Sequence, residues 1–109
     1  MVEFDDFLKL DIRAGTIVKC EMFEGLNKPA YKLWVDFGNE IGMKKTSAQI
    51  TEKYNLEELA GKQVLGIINF EKKQIKDFMS EFLVLGLYEE GGVVLITPDQ
   101  KVENGIKLG

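Results

Sequence analysis

The stretch Ile12-Arg13-Ala14-Gly15-Thr16-Ile17-Val18-Lys19-Cys20-Glu21-Met22 decides the fold class. Ile12, Ala14, Thr16, Val18, Cys20 and Met22 alternate with Arg13, Gly15, Ile17, Lys19 and Glu21, the period of a strand with one mainly apolar face. Gly15 in the interior predicts a bulge or sharp bend, which a small barrel needs. Downstream, Gly25 to Pro29 reads as a turn. Tyr31, Leu33, Val35 and Phe37 then alternate with Lys32, Trp34, Asp36 and Gly38, giving a second strand. Gly38-Asn39-Glu40 predicts a tight connection into a third, from Ile41 to Ala48.

The period then changes. Between Thr51 and Ala60 a short helix is predicted, with Asn55 as N-cap, Glu58 three residues on, and Gly61 as its stop. Glu57 and Glu58 suit the positive end of that helix. Val64 to Phe70 is apolar on both faces except at Gly66 and Asn69, which predicts a central strand. Phe82 to Leu87 and Val93 to Thr97 are further strands, joined by the turn Glu89-Glu90-Gly91-Gly92. Pro98-Asp99 and Asn104-Gly105 punctuate an irregular tail. Upstream, Phe4, Phe7 and Leu8 lie at helical spacing with Asp5 and Asp6 near the start. So short a helix is unstable alone and must dock on its own domain or on a second subunit, which makes Phe4, Phe7 and Leu8 candidate dimer contacts.

Three strands, a helix and two or more strands is the order of an OB-fold, a five-stranded Greek-key barrel. The pattern also allows another small barrel or an α+β sheet. The expected architecture is all-β dominated. It has a short helix between strands 3 and 4, a short N-terminal helix, and one domain over residues 1–109.

Composition narrows the chemistry. The chain has no histidine and one cysteine, Cys20, so Ser-His and Cys-His nucleophile pairs and the usual structural zinc sites are excluded. No spacing marks out a catalytic carboxylate pair, and no Walker-type glycine loop is present. An enzyme, a metal and a cofactor are therefore not expected. No apolar run approaches a membrane span, the acidic start is unlike a signal peptide, and a lone cysteine forms no internal disulfide. A cytoplasmic protein without membrane insertion is expected. Net charge is −4, which opposes broad attraction to a polyanion. Residues 41–76 nonetheless carry seven lysines against four acids, a basic middle between two acidic ends.

The candidate ligand-reading segment runs from Asn69 to Leu85. Asn69 ends an apolar strand, Lys72, Lys73 and Lys76 fill a loop, and Ser80 and Glu81 enter the next strand. The lysines either contact phosphates or serve as solvated surface charge. Asn69, Ser80 and Glu81 either face a ligand or tie down turns. Phe78 and Met79 are apolar residues in a loop, which a hydrophobic peptide groove or a closed barrel end would explain. Trp34 shares the strand face opposite the core with Lys32 and Asp36. It is placed to stack a base, line a peptide pocket, seal a dimer or pack under a loop.

Asp11-Ile12-Arg13-Ala14-Gly15-Thr16-Ile17, Val35-Asp36-Phe37-Gly38, Ser47-Ala48-Gln49-Ile50-Thr51, Asn69-Phe70 and Ser80-Glu81-Phe82-Leu83-Val84-Leu85-Gly86 resemble the tRNA-binding domain family. Within it they look like the short, stand-alone CsaA-type export chaperones. The likeness covers nearly the whole chain in order. The resemblance implies an OB-fold homodimer without enzymatic activity. It places Asn69, Lys73, Lys76 and Ser80 in the ligand-facing segment, and its third motif adds Gln49 to the candidate ligand-binding residues. It also implies unfolded preproteins and the Sec translocase motor as partners. Glu71 and Asp77 depart from the nucleic-acid-binding relatives, which look less acidic there. The function expected is an ATP-independent chaperone that binds unfolded preproteins for Sec-dependent export. The alternative is a stand-alone, structure-selective tRNA-binding protein.

Overall fold

The computed structural model describes all 109 residues, Met1–Gly109. Its strand β1 (Ile12–Met22) serves two partners in succession. Residues Ile12–Thr16 pair antiparallel with β4 (Gln63–Ile67), and Thr16–Met22 with β2 (Tyr31–Asp36). β2 pairs in turn with β3 (Met43–Ala48) and β4 with β7 (Leu83–Val84), giving a five-stranded sheet of order β3-β2-β1-β4-β7.

A strand that changes partner midway must bend, and β1 bends at a bulge. Its register with β2 steps from Ile17↔Val35 to Lys19↔Trp34, leaving Val18 unmatched. The bulge expected at Gly15 therefore lies three residues further on. Gly15 meets a different demand, close approach: a Cβ there would stand 2.6 Å from Val35 Cγ1 and 2.8 Å from Phe37 Cδ1. The bulge also resets which side chains turn inward. Ile17 is fully buried with Cys20 packed against the same core, whereas Val18 and Met22, expected on the apolar face, are exposed. Beside Ile12–Ala14, where β2 no longer runs, the C-terminal segment takes over. Ala14 N donates to Ile106 O, Gly105 N to Ala14 O and Leu108 N to Ile12 O. The tail is thus partly sheet.

Three helices are short. α1 (Phe4–Leu8) precedes the barrel, and α2 (Gly38–Ile41) is a helical turn where a tight connection was expected, so β3 starts at Met43. α3 (Leu56–Leu59) has the predicted cap: Asn55 Oδ1 accepts from Glu58 N at 3.2 Å and Glu58 Oε1 accepts from Asn55 N at 3.1 Å. It sends Leu59, fully buried, into the core with Ile17, Leu33, Val35, Phe37 and Val64. Phe37 and Phe82 meet there edge to face, ring centroids 5.0 Å apart.

Two hairpins complete the chain. The lysine loop is a hairpin, β5 (Lys73–Ile75) and β6 (Phe78–Ser80), turned at Lys76-Asp77. The strand expected over Phe82–Leu87 breaks after Val84, and β8 (Gly86–Glu89) pairs with β9 (Gly92–Leu95). The break falls where Leu85 bonds both sides, its N–H to Leu65 O and its carbonyl to Ile96 N.

The barrel is nearly closed at the seam between β3 and residues 80–82, and side chains do most of the closing. One main-chain bond crosses, from Glu81 N to Lys45 O at 2.8 Å. Glu81 Oε1 accepts from Lys45 N at 3.0 Å, Thr46 Oγ1 donates to Phe82 O at 2.7 Å, and Ser80 Oγ accepts from Ser47 N at 3.3 Å. No buried side-chain nitrogen or oxygen lacks a partner.

Candidate ligand-binding surfaces

The outer face of β1, β2 and β3 gathers lysines onto aromatic rings. The register puts Lys19 and Lys45 on either side of Trp34, so a Lys-Trp-Lys row crosses three strands. Lys19 Nζ stands 4.6 Å from the Trp34 ring centroid. Lys32 Nζ lies 4.7 Å from the Phe23 ring and 5.2 Å from Phe78, and Lys45 Nζ 5.6 Å from Phe78. Phe78 in turn meets Phe23 and Trp34 edge-on, centroids 5.4 Å and 6.0 Å apart. Lys19 shares its charge with Glu21 at 3.2 Å, while Lys32 and Lys45 have no carboxylate within salt-bridge reach. The face is locally cationic although the chain is acidic.

A second surface lies along the seam. A groove of about 470 Å³ runs between the end of β3 and Ile50 on one side and the β5–β6 hairpin and β7–β9 on the other. Its apolar wall includes Phe70, Leu83, Val84, Tyr88, Val93 and Leu95. Its polar groups include Ser47, Gln49, Glu71, Lys73 and Ser80. Tyr88 and Leu87 project from the β8–β9 hairpin, 96% and 59% exposed.

The residues singled out in the sequence divide between these surfaces and the framework. Gln49, Lys73 and Ser80 line the groove, and Trp34 stands half-buried on the lysine face. Lys72 and Lys76 are exposed around the hairpin. Lys76 adopts φ 55, a left-handed conformation, and its ammonium reaches over Gly25. Phe78 does not offer itself to a ligand: it is buried in a small cluster with Phe23 and Ala30 on the outer side of β2, because the hairpin folds down over Trp34. Met79 beside it is half-buried. Asn69 is a staple, accepting from Asp11 N and donating to Lys9 O, each at 2.9 Å, so it fixes the segment after α1 to the end of β4. Glu81 is likewise held in the seam by Lys45. On α1, Phe4 and Leu8 are exposed and Phe7 is half-buried.

Lys19, Lys32 and Lys45 are not picked out as ligand-binding candidates by the sequence because they sit on three strands, two of them in the acidic first third. Pairing register, not local lysine density, brings them together. Burial and the Glu57 carboxylate push the Cys20 thiol upward, and burial followed by Glu57 does the same to the Tyr31 phenol, which donates to Tyr54 O at 2.8 Å. Neither lies on the two surfaces. No group of histidine, cysteine or carboxylate residues is placed to hold a metal, and no helix is long and apolar enough to cross a membrane.

Residues 12–107 match the family model described as "Putative tRNA binding domain". The chain belongs to the tRNA-binding domain family. A crystal structure of the chaperone CsaA from Bacillus anthracis is 47% identical, covers 100% of this chain and 99% of its own, and superposes with a TM-score of 0.92. The CsaA chaperone protein from Picrophilus torridus is also 47% identical, with full coverage of both chains and a TM-score of 0.94. A methionine–tRNA ligase from Parabacteroides distasonis is 36% identical over 98% of this chain. This tRNA-binding domain spans only 16% of that relative's length. The fold is thus shared with two CsaA chaperones along their whole length, and the sequence is similar to a segment of a methionine–tRNA ligase.

Proposed function

We propose that this protein is an ATP-independent chaperone, without enzymatic activity, that holds extended, partly apolar segments of unfolded preproteins for Sec-dependent export from the cytoplasm. The observation that carries this reading is the open groove of about 470 Å³ with its apolar wall, a volume within the range of ordinary ligand sites, roughly 300–1,000 Å³. The full-length likeness to two CsaA chaperones at 47% identity supports it. The protein acts as a homodimer in this reading. Phe4 and Leu8 of α1, with Leu87 and Tyr88 of the β8–β9 hairpin, leave more large apolar side chain in water than a monomer gains from. Two grooves on one particle raise avidity for a chain with several apolar segments. The Sec translocase motor is the partner that receives the cargo.

The test is fluorescence anisotropy with a labelled unfolded preprotein segment at low and near-physiological salt. Binding at both salts, unchanged by ATP, is expected. No binding at either salt overturns the chaperone.

One observation favours a second reading, structure-selective binding of tRNA. Lys32 and Lys45 make no salt bridge and flank Trp34, the one half-exposed ring of that face, so ammonium groups for phosphates stand beside a ring that can meet a base. The triple substitution Lys19→Ala, Lys32→Ala, Lys45→Ala should flatten the salt dependence of tRNA affinity by about 2 in the log–log slope, at ~0.7 per lost phosphate contact. If tRNA binds at near-physiological salt and polypeptide does not, this second reading replaces the first.

A further inference from the structure

We infer that the groove reads the main chain of its ligand: an extended polypeptide adds as a strand along the free edge of β3 around Gln49. The inference rests on the chaperone reading and states how that site binds.

β3 ends the sheet order, so one of its edges has no ladder partner. Near Lys45 that edge is held by Glu81, and at Ser47 its N–H reaches only a side-chain hydroxyl, Ser80 Oγ at 3.3 Å, beyond the usual distance for a strong bond. Two residues further, Gln49 makes no main-chain hydrogen bond at all, with either its N–H or its carbonyl. The β5–β6 hairpin stands next to this edge yet pairs only with itself. An unpaired strand edge beside an apolar trough is what an extended peptide completes.

The occupant's chemistry follows from both walls. Gln49 offers its free N–H and carbonyl to the ligand's main chain whatever the ligand's sequence, while the Ser47 N–H stays with Ser80 in the seam, so recognition tolerates many sequences. Alternate side chains would fall toward Phe70, Leu83 and Tyr88, so every second ligand residue should be apolar. Glu71 and Lys73 both lie in the groove, so neither sign of charge is favoured strongly. Such a ligand is an unfolded segment with strand-like alternation; a helical segment offers no free main-chain donors.

The experiment is an N-methyl scan. A short, labelled apolar-alternating peptide that binds the intact protein is methylated at one backbone nitrogen at a time, which deletes a donor without changing any side chain. Affinity should fall about tenfold at the position whose amide meets the Gln49 carbonyl and change little at the positions on either side, whose amides point away from the edge. A flat profile overturns the inference and leaves the chaperone reading intact, since the groove would then bind side chains alone. Failure of the unmethylated peptide to bind overturns the chaperone reading itself. Sedimentation on the same samples supplies the second check. Dissociation of dimers on peptide addition would mean that a second copy occupies the groove, and would overturn the inference. Gln49→Pro, which removes the Gln49 donor, should weaken binding like the sensitive N-methyl position, whereas Gln49→Ala should not.

Discussion

Replacing Thr46 by Val tests whether side-chain hydrogen bonds close the barrel. Thr46 is 1% exposed, and its single hydroxyl proton goes to Phe82 O at 2.7 Å. Because that proton is committed, the 2.9 Å contact with Ser80 requires Ser80 to donate to Thr46, and Ser80 then accepts from Ser47 N. Val keeps the shape and removes both roles. Phe82 O loses its donor inside the core, which costs about 1–3 kcal/mol, while the added methyl returns roughly 0.8 kcal/mol. These two terms leave a net loss of about 0.2–2 kcal/mol, to which the loss of the Ser80 hydroxyl's acceptor adds about 0.5–1 kcal/mol. With a urea m-value of about 1–3 kcal/mol/M, the unfolding midpoint should fall by on the order of 1 M with m unchanged. The assay is urea denaturation followed by Trp34 fluorescence at fixed protein concentration, since association would shift apparent stability. A cycle with Ser80→Ala should give a coupling of about 0.5 kcal/mol or more, as expected for contacting groups. A midpoint within a few tenths molar of the parent, with no coupling, would refute side-chain closure of the seam.

Three other outcomes follow from local geometry. Gly15→Ala should destabilise by about 2 kcal/mol or more in urea denaturation, because the new methyl meets Val35 and Phe37 side chains and Asp36 O within 2.9 Å. Lys76→Gly should stabilise by up to about 1 kcal/mol in the same assay, since the left-handed φ of 55 strains a side-chain-bearing residue. Cys20 and Tyr31, both raised in the folded state from ordinary values of 9.0 and 10.0, bind their protons more tightly when folded. Their contribution is therefore full below about pH 9 and is lost as pH rises through the folded values, so thermal melts across pH 8–11 should show a decline that Tyr31→Phe shallows.

The fold was readable where period and punctuation agree. The alternation of Tyr31–Phe37 and the Asn55–Glu58 cap gave β2 and α3 directly, because each depends on neighbours in sequence. Errors came where distant residues decide. The bulge at Val18 follows from β1 changing partners, and the β5–β6 hairpin forms because Phe78 finds Phe23 and Trp34 across the sheet. Phe78 looked like an exposed loop residue for that reason. Asn69 carried a signal, a polar side chain ending an apolar strand, but only the fold shows that its amide is spent on Lys9 and Asp11. The lysine face was hidden in the same way, since Lys19, Lys32 and Lys45 become neighbours only through strand pairing.

β3 belongs to both surfaces, and this bears on how the two proposed ligand classes could be told apart. The Lys45 side chain stands on the cationic face while its main chain is bonded to Glu81 in the seam, and Thr46–Ile50 continue as a wall of the groove. A polyanion is drawn to ammonium groups, whose attraction fades as salt shortens the Debye length to about 8–10 Å. A peptide in the groove draws on apolar burial and main-chain bonds, which salt barely weakens. In the groove Glu71 offsets Lys73, so a phosphate backbone would gain little there, whereas Lys32 and Lys45 on the outer face make no salt bridge. Ionic strength is therefore the variable that separates the two proposed modes of binding: as it rises, any polyanion on the outer face should be released while a peptide in the groove should stay bound.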